Sequence, residues 1–526
     1  MATVPEVTAY GLNKEATAPL DNAALDRSEK SSLSSPSTVA AATALQTDVD
    51  QKKLLRRIDW RILPFCYWSY MVMRVDVGNI SNAGIMNSET GHSLKQELGL
   101  TAQQWTWVIA SFSYTYMFLE PISTPMVKLY RPSGWITRIM CTWAVITICA
   151  AAVKNYAGLI TIRVLLGAAE AGYFPCIVYW WSFWYNPQQL APRILGLYMA
   201  GAAAGAASGF LAYAISFTNR PDFAGWRWLF IIEGVIPLIT GTASWWLIPD
   251  FPSTSKWLSI AEVQTIRNWL HKDSPNEITG HTFSLRETLA IFRDPSYVLF
   301  TAFWILHGIG GYGIGLVLPQ VIKDLGFTTS AGANLLNIPP AAATILFLCL
   351  CSFLLSRRIV NAFPLIIFMD TLVIAGYIIL LTRDEPGVRY FALLLVTAAA
   401  GVAYPSLWPR RVQALRGTAG AALGIGLHNA SAQMSGILGP QLFRSDYGPR
   451  YVKPFKAAIG LIAVAIALLV PLWWLLDGDI SKSAWLTNHV QSQTHYREGD
   501  ETRERVEEVL AAQEGGKREG KQDDKV

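Results

Sequence analysis

Two short stretches carry side chains that could do chemistry inside an otherwise apolar chain. RVDVGNISNAG, residues 74–84, sets Arg74, Asp76, Asn79 and Asn82 in a hydrophobic run that opens ILPFCYWSYMVM at Ile62. RVLLGAAEAG, residues 163–172, does the same with Arg163 and Glu170. A charge at the centre of a bilayer costs about 2.5 to 3.5 kcal/mol on insertion scales, so it faces a partner or a watery cavity. Burial favours the neutral form of a carboxyl group and a nearby cation favours the ionised form. Charged groups in that setting are functional candidates by default.

Helical geometry divides them. At ~100° per residue, Asp76, Asn79 and Ala83 run along one side with Asn82 nearby, and Arg74, Val77 and Ser81 lie on a roughly opposite side. Arg163 and Glu170 are two turns apart, ~10 Å along the axis, which predicts separate partners rather than a direct ion pair. His307, Tyr404, Trp408, His428, Asn429 and Gln433 sit in later apolar runs and could contact a cargo or shape a cavity. For the histidines, a packed and hydrogen-bonded core position is the competing reading. Glu120 and Glu233 read as structural or gating contacts.

The elements that must position these residues follow from composition. The chain has 526 residues, 52% hydrophobic and only 15% charged, with a mean hydropathy of +0.29, more apolar surface than one soluble core could hide. A spanning helix needs roughly 20 apolar residues. About twelve such segments start near Ile62, Gln103, Trp135, Leu159, Arg193, Arg227, Ser296, Ala331, Ala362, Val388, Leu415 and Pro454. The predicted fold is an all-α membrane protein of two six-helix halves, 58–249 and 296–476. A polar connector at 250–295 joins them, and polar tails at 1–57 and 477–526 flank them.

Lys52, Lys53, Arg56, Arg57, Arg61, Lys128, Arg131, Arg193, Arg357, Arg358, Arg410, Arg411 and Arg416 fall in segments on one side of this topology, which the positive-inside rule makes cytoplasmic, with both termini. The loop holding Arg444, Arg450, Lys453 and Lys456 runs against the rule. The net charge of +5 is a topology signal and gives no case for nucleic acid. Cys66, Cys141, Cys149, Cys176, Cys349 and Cys351 lie within predicted helices at no metal-ligand spacing, so free, buried thiols are expected. YWWSFWY at 179–185 reads as an interfacial anchor, and Gly201, Gly205 and Gly209 as a close helix contact. No Walker loop, metal-spaced cluster or activated nucleophile is present in the sequence, so no enzyme, metal or cofactor is expected and the energy must come from an ion gradient.

Two six-helix halves around a polar linker is the arrangement of major facilitator transporters, with substrate sites near the midplane between the halves. RRIDWRILPF, DVGNISNA, RPSGWITRIM, NYAGLITIRVLLGAAEAGYFPCIVYW and AGWRWLFIIEG followed by LIPDFP resemble the signatures of the fungal anion:cation symporter family, which includes allantoate, nicotinate, pantothenate and biotin permeases. The second half is similar through Trp408, GIGLHNASAQ and GPQLFRSDYGPRY. The resemblance implies that Arg163 meets the substrate anion or couples to a proton carrier, and that Glu170, with Asp76 second, carries the proton. Family members place a basic residue after the aspartate, where this chain has Val77. Arg74, one turn earlier, either replaces it or is held structurally.

The expected function is a monomeric, proton-coupled importer of a small organic anion in the plasma membrane. Arg74, Arg163, Asn79, Tyr404, Asn429 and His307 are the expected substrate contacts, and Glu170 and Asp76 the proton carriers. The partners are the anion, protons and the lipid bilayer. An exporter or vacuolar carrier, a sulfate or sulfonate carrier, and a nutrient sensor are the alternatives.

Overall fold

The structure, a computed structural model, describes residues 50–218, 223–271, 290–414 and 421–477. The two tails and part of the connector lie outside the described residues. Twelve long elements carry the fold: α1 Gln51–Ile85, α2 Ala102–Tyr130, α3 Pro132–Ala150, α4 Tyr156–Trp181, α5 Pro187–Ser216, α6 Gly225–Leu247, α7 Pro295–Asp324, α8 Ser330–Ser356, α9 Ala362–Thr382, α10 Pro386–Trp408, α11 formed by Ala421–Ala432 and Met434–Leu442, and α12 Val452–Asp477. Their starts are set by capping side chains that take up orphan amides. Asp50 accepts from Lys52 and Lys53, Thr101 and Gln104 form a capping box, and Asn186 and Gln189 form another.

Nine of these elements are long and apolar enough to cross a bilayer by length and composition among the described residues. The other three are α1, α2 and α11. They fall short of that test for a physical reason: α1 carries Arg74, Asp76, Asn79 and Asn82, α2 carries Glu120, and α11 is interrupted at Gln433. Five helices are interrupted along their length: α4, α7 and α11, and also α8 at Leu336 and Asn337 and α10 at Gly401 and Val402. In α4 the break is at Ala171 and Gly172, where Gly172 has φ +85° and a Cβ would stand 2.5 Å from the Cβ of Ser123. In α7 the regular helix ends at His307 and continues as a π turn, Gly308–Tyr312, and a 3-10 turn, Gly313–Val317.

Within the first set of helices α1 packs on α5 and α6, α3 on α6, and α2 on α4; in the second, α7 packs on α12, α9 on α10 and α12, and α8 on α10. The sets meet through α2 against α11 and α5 against α8. Gly209 belongs to this second contact, since a Cβ there would be 2.4 Å from the Asn334 carbonyl oxygen. The close packing expected of that glycine is present.

Two sequence expectations are corrected. The aromatic run is not an interfacial belt, because Trp180, Trp181, Trp184 and Tyr185 are almost fully buried. The connector covers them: Trp180 Nε1 donates to the Asp250 carbonyl at 2.6 Å, and Trp184 stacks on Trp257 at 5.8 Å and 4°. The six thiols are unpaired, but Cys149 and Cys349 are exposed and Cys141 is half-buried, since they point outward from α3 and α8.

Polar contacts between the sets close the end of the bundle reached by the C-terminus of α1. Lys95 Nζ donates to Gln320 Oε1 at 2.7 Å, Lys323 to Ser88, and the Ser330 amide to Glu89 Oε1 at 2.6 Å. Nearer the centre the Ser81 hydroxyl donates to the Leu316 carbonyl. Lys95 lies in the loop between α1 and α2, with its ammonium 5.0 Å from the Trp105 ring centroid. Loss of water there pushes it down to about 8, against the pull of Asp324 and with the push of Lys323.

Two predictions follow from this packing. A Cβ at Gly167 would stand 2.3 Å from the Phe112 carbonyl oxygen, whereas one at Gly460 meets nothing within 4 Å. Gly167→Val is expected to cost about 1 to 3 kcal/mol or more and Gly460→Val little, read as thermal midpoints of the detergent-solubilised protein. The second prediction concerns Lys95. Once opening returns it to water it regains its ordinary pKa, so between about pH 8 and 10.4 the closed state binds fewer protons than the open one. Raising pH through that window favours closure, and below it the contribution of Lys95 vanishes. Spin labels at His92 and Phe327 should show the short-distance population growing from about pH 8 to 10, and Lys95→Met should remove that response. An unchanged response in the variant would refute it.

Candidate functional site

Between the two sets of helices lies a cavity of about 380 Å³. The breaks in α4, α7 and α11 lie close to it, because residues beside an interrupted helix leave room and free backbone groups. Its aromatic side is built by Tyr70, Phe174, Tyr198, Tyr312 and Tyr404. Tyr70 and Phe174 have ring centroids 5.7 Å apart, Phe174 and Tyr198 6.0 Å, and Tyr312 stacks on Tyr404 at 4.9 Å and 11°. Tyr404 is fixed by donating its hydroxyl to the Trp304 carbonyl at 2.6 Å. Phe174 also meets Trp408 across the two sets, centroids 6.4 Å apart. Polar groups line the rest, among them Asn82, Asn337, Asn429 and Gln433.

Arg74 is the only charged side chain on that wall among the described residues, and it makes no hydrogen bond or ion pair with any of them. Gly201 makes the space for it, with a Cβ there 3.6 Å from Arg74 Cγ. Asn429 lines the cavity too and donates to Glu120 Oε1, tying α11 to α2.

Behind the wall, on the other face of α1, is a fully buried acidic cluster. Asp76 accepts from Asn79 Nδ2 at 2.6 Å and from Thr147 Oγ1 of α3 at 2.7 Å. The Glu170 carboxyl adjoins that of Asp76, and neither of its oxygens has a hydrogen-bond partner among the described residues. Two adjacent carboxyl groups cut off from water are held together most readily with a proton between them. Arg163 makes no ion pair with Glu170. It donates from Nε to the Val108 carbonyl at 3.3 Å and lies 4.9 Å from the Phe112 ring centroid. Glu233 is buried beside the same cluster, near the Asp76 carboxyl and the Asn79 amide.

Of the expected substrate contacts, Arg74, Tyr404 and Asn429 are on the wall. Asn79, Arg163 and His307 are not. Asn79 turns to Asp76 because that face of α1 packs on α6, and Arg163 is held between α4 and α2. His307 Nδ1 is 3.0 Å from Asp370 Oδ1, both residues fully buried, and its Nε2 is 3.1 Å from the Ala400 carbonyl oxygen. Asp370, an acid in the apolar run AFPLIIFMDTLV, obeys the same hydropathy rule that picks out Asp76, yet spacing to a basic residue in its own helix gives no hint of it. Tyr70, Tyr198 and Tyr312 escape sequence reasoning because an aromatic residue in a membrane helix usually faces core or lipid.

With this geometry in view, the likenesses to known proteins are consistent. The model of the Major Facilitator Superfamily matches residues 77–440. An MFS-type transporter of Penicillium expansum is 28% identical over 81% of this chain and 83% of its own. A protein of Agrobacterium vitis named as a candidate tartrate transporter is 26% identical over 74% of this chain and 84% of its own. Among solved structures, a D-xylose-proton symporter superposes with a TM-score of 0.59 at 14% identity, covering 79% of this chain and 97% of that one, a likeness of fold alone. This chain is a multi-pass membrane transporter, not an enzyme, and it belongs to the Major Facilitator Superfamily.

Proposed function

We propose that the protein imports a small organic anion together with protons, as an anion:cation symporter acting as a monomer in the plasma membrane with both termini cytoplasmic. The observation that carries this reading is Arg74, the one charge on the cavity wall and one without a counter-ion from the described protein. A carboxylate entering the cavity supplies that counter-ion. The two-pronged guanidinium suits it, while Asn429 and the hydroxyl-bearing aromatic wall orient the rest of the molecule. The tartrate assignment of one relative is in keeping with an anionic cargo. The basic residues at the N-terminal end of α1 and at the end of α8, Arg357 and Arg358, support the orientation. In this reading 58–249 and 296–476 are the two moving halves.

Proton coupling falls to Glu170 and Asp76. Arg74 and Asp76 are two residues apart on α1 and face the cavity and the acidic cluster respectively, so one helix joins cargo site to proton site. Arg163 supplies the fixed positive charge of the cluster.

The experiment is uptake of a labelled anion panel, including aromatic, aliphatic and hydroxylated carboxylates, into proteoliposomes under an imposed proton gradient. Glu170→Gln is expected to abolish accumulation while exchange of internal for external anion persists. Full gradient-driven accumulation by the variant would move the role to Asp76. Arg74→Ala should nearly eliminate uptake, since a charge-assisted hydrogen bond is worth ~1.5 to 3 kcal/mol. Arg74→Lys, which keeps the charge and loses the fork, should weaken apparent affinity about 10-fold, corresponding to ~1.4 kcal/mol. Unchanged affinity in Arg74→Ala would refute the anion assignment.

A further inference from the structure

The second set of helices holds a buried acid–base pair that the proposed cycle leaves unused. Asp370 of α9 and His307 of α7 are both fully buried, Nδ1 to Oδ1 3.0 Å. The other imidazole nitrogen, Nε2, lies 3.1 Å from the Ala400 carbonyl oxygen. A carbonyl only accepts, so Nε2 carries a hydrogen. Nδ1 then confronts a carboxyl oxygen, and two lone pairs do not meet at that distance without a proton. One proton is held there, either on Nδ1 opposite a carboxylate or on the acid opposite a neutral imidazole. Both forms have zero net charge. Removing the proton leaves one negative charge in a dry site, where neither Asp370 oxygen has a well-aligned hydrogen bond among the described residues and the 3.0 Å approach to His307 is its one close polar contact.

The pair stands where the wall of the cavity can respond to it. His307 is the last residue of the regular part of α7, and the π turn after it is the kind of irregularity that recurs at functional sites. The irregular segment 308–317 lines the cavity through Gly311, Tyr312, Gly315 and Leu316, and its Leu316 carbonyl accepts the Ser81 hydroxyl across the bundle. Helix α9, which carries Asp370, also grips the segment directly, Tyr377 donating to the Gly310 carbonyl at 2.6 Å. On α10, Ala400 is both the acceptor for His307 and part of the cavity wall.

The arrangement parallels the first set of helices. There the link between first and third helix is Asp76 to Thr147; here it is His307 to Asp370. The groups that face the pair are Tyr404 of α10, ring centroids 5.4 Å from His307, Tyr312 of α7 at 6.4 Å, and Tyr377 of α9. Helix α12 presents Ile462 and Ala458 to Gly310, and α11 presents Ser435 to Gly308, with His428 beyond Trp304 at 4.6 Å. Arg74 lines the same cavity as Tyr312. No second charge competes for the proton at close range among the described residues.

We propose that His307 and Asp370 form a second proton-binding site, and that gain or loss of its single proton resets the 308–317 segment and with it the Ser81–Leu316 closure. This rests on the proton-coupled reading above, with the acidic cluster of the first half as the other site.

The test uses the full-length protein in detergent without cargo, spin-labelled at His92 and Phe327, with distances recorded from about pH 4 to 8. Two titration steps are expected. Asp370→Asn should remove one and keep the other, Glu170→Gln should do the reverse, and the exchanged pair His307→Asp with Asp370→His should restore the step that Asp370→Asn removes. A folded Asp370→Asn protein with both steps intact overturns the proposal. Should these variants fail to fold, infrared difference spectra with ¹³C-labelled aspartate decide it: a pH-dependent aspartate carboxyl change that persists in Asp76→Asn is required, and its absence overturns the proposal. A wild type that accumulates no anion under a proton gradient sinks the coupled-transport reading, whereas the label distances still decide whether the pair titrates.

Discussion

A single uncompensated cation governs the centre of this molecule. Arg74 faces a cavity with no carboxylate on its wall among the described residues, although Asp76, Glu170 and Glu233 are close by in the sequence or the fold. They are kept from it by the body of α1. Had any of them turned to the cavity, Arg74 would be neutralised from within and the cavity would favour a neutral or cationic cargo. The separation is achieved by helical geometry alone: two residues along α1 turn the side chain by ~200°, enough to put guanidinium and carboxyl on opposite sides.

The rest of the architecture serves that separation. Asn79 and Thr147 hold Asp76 away from the cavity, and small residues let neighbouring helices close around the cluster. Gly167 brings α4 onto the Phe112 carbonyl, and Gly172 lets α4 turn beside Ser123. The breaks that leave α4, α7 and α11 irregular would be expensive where lipid met the free backbone groups, and they are tolerated here because protein or cavity surrounds them. Polar closures between the sets cluster at one end, from Ser81 outward to Glu89 and Ser330, and aromatic contacts lie on the other side, through Phe174 and Trp408. Hydrogen bonds between backbone and side chains can be exchanged for water on opening, whereas the ring contacts separate only with loss of apolar burial.

How much of this was legible in the sequence depends on the range of the interaction. Most segment starts were readable because hydropathy is local, although α1 begins at Gln51 rather than near Ile62 and the start expected near Leu415 lies outside the described residues; Arg74, Asp76, Arg163 and Glu170 announced themselves as charges in apolar surroundings. The division of α1 into two polar faces also followed from spacing. What the spacing could not supply was the partner of each face: Asn79 was read as a substrate contact and turns to Asp76, and His307 was read likewise and turns to Asp370, 63 positions away. The burial of Trp180, Trp181 and Trp184 depended on Asp250 and Trp257 folding back over them, a tertiary event with no local signature. The cavity's tyrosines were invisible for the same reason, since only assembly decides whether a ring meets lipid, core or cargo.

In the proposed reading, cargo site and proton site lie on opposite faces of one helix, and that placement has a thermodynamic consequence. Charges interact strongly across a low-dielectric interior, so an anion bound to Arg74 would cancel part of a field that the acidic cluster otherwise feels. Whatever the anion does to the cluster's affinity for a proton, a proton on the cluster must do equally to the affinity for the anion, because coupling free energies are reciprocal. A partner of opposite charge bound at each site makes that coupling favourable in both directions, so that anion and proton load together. No direct contact between the two ligands is needed, and none is possible with α1 between them. What the helix must do is stay rigid between Arg74 and Asp76, and its unbroken course from Gln51 to Ile85, in a bundle where α4, α7 and α11 are all interrupted, meets that requirement.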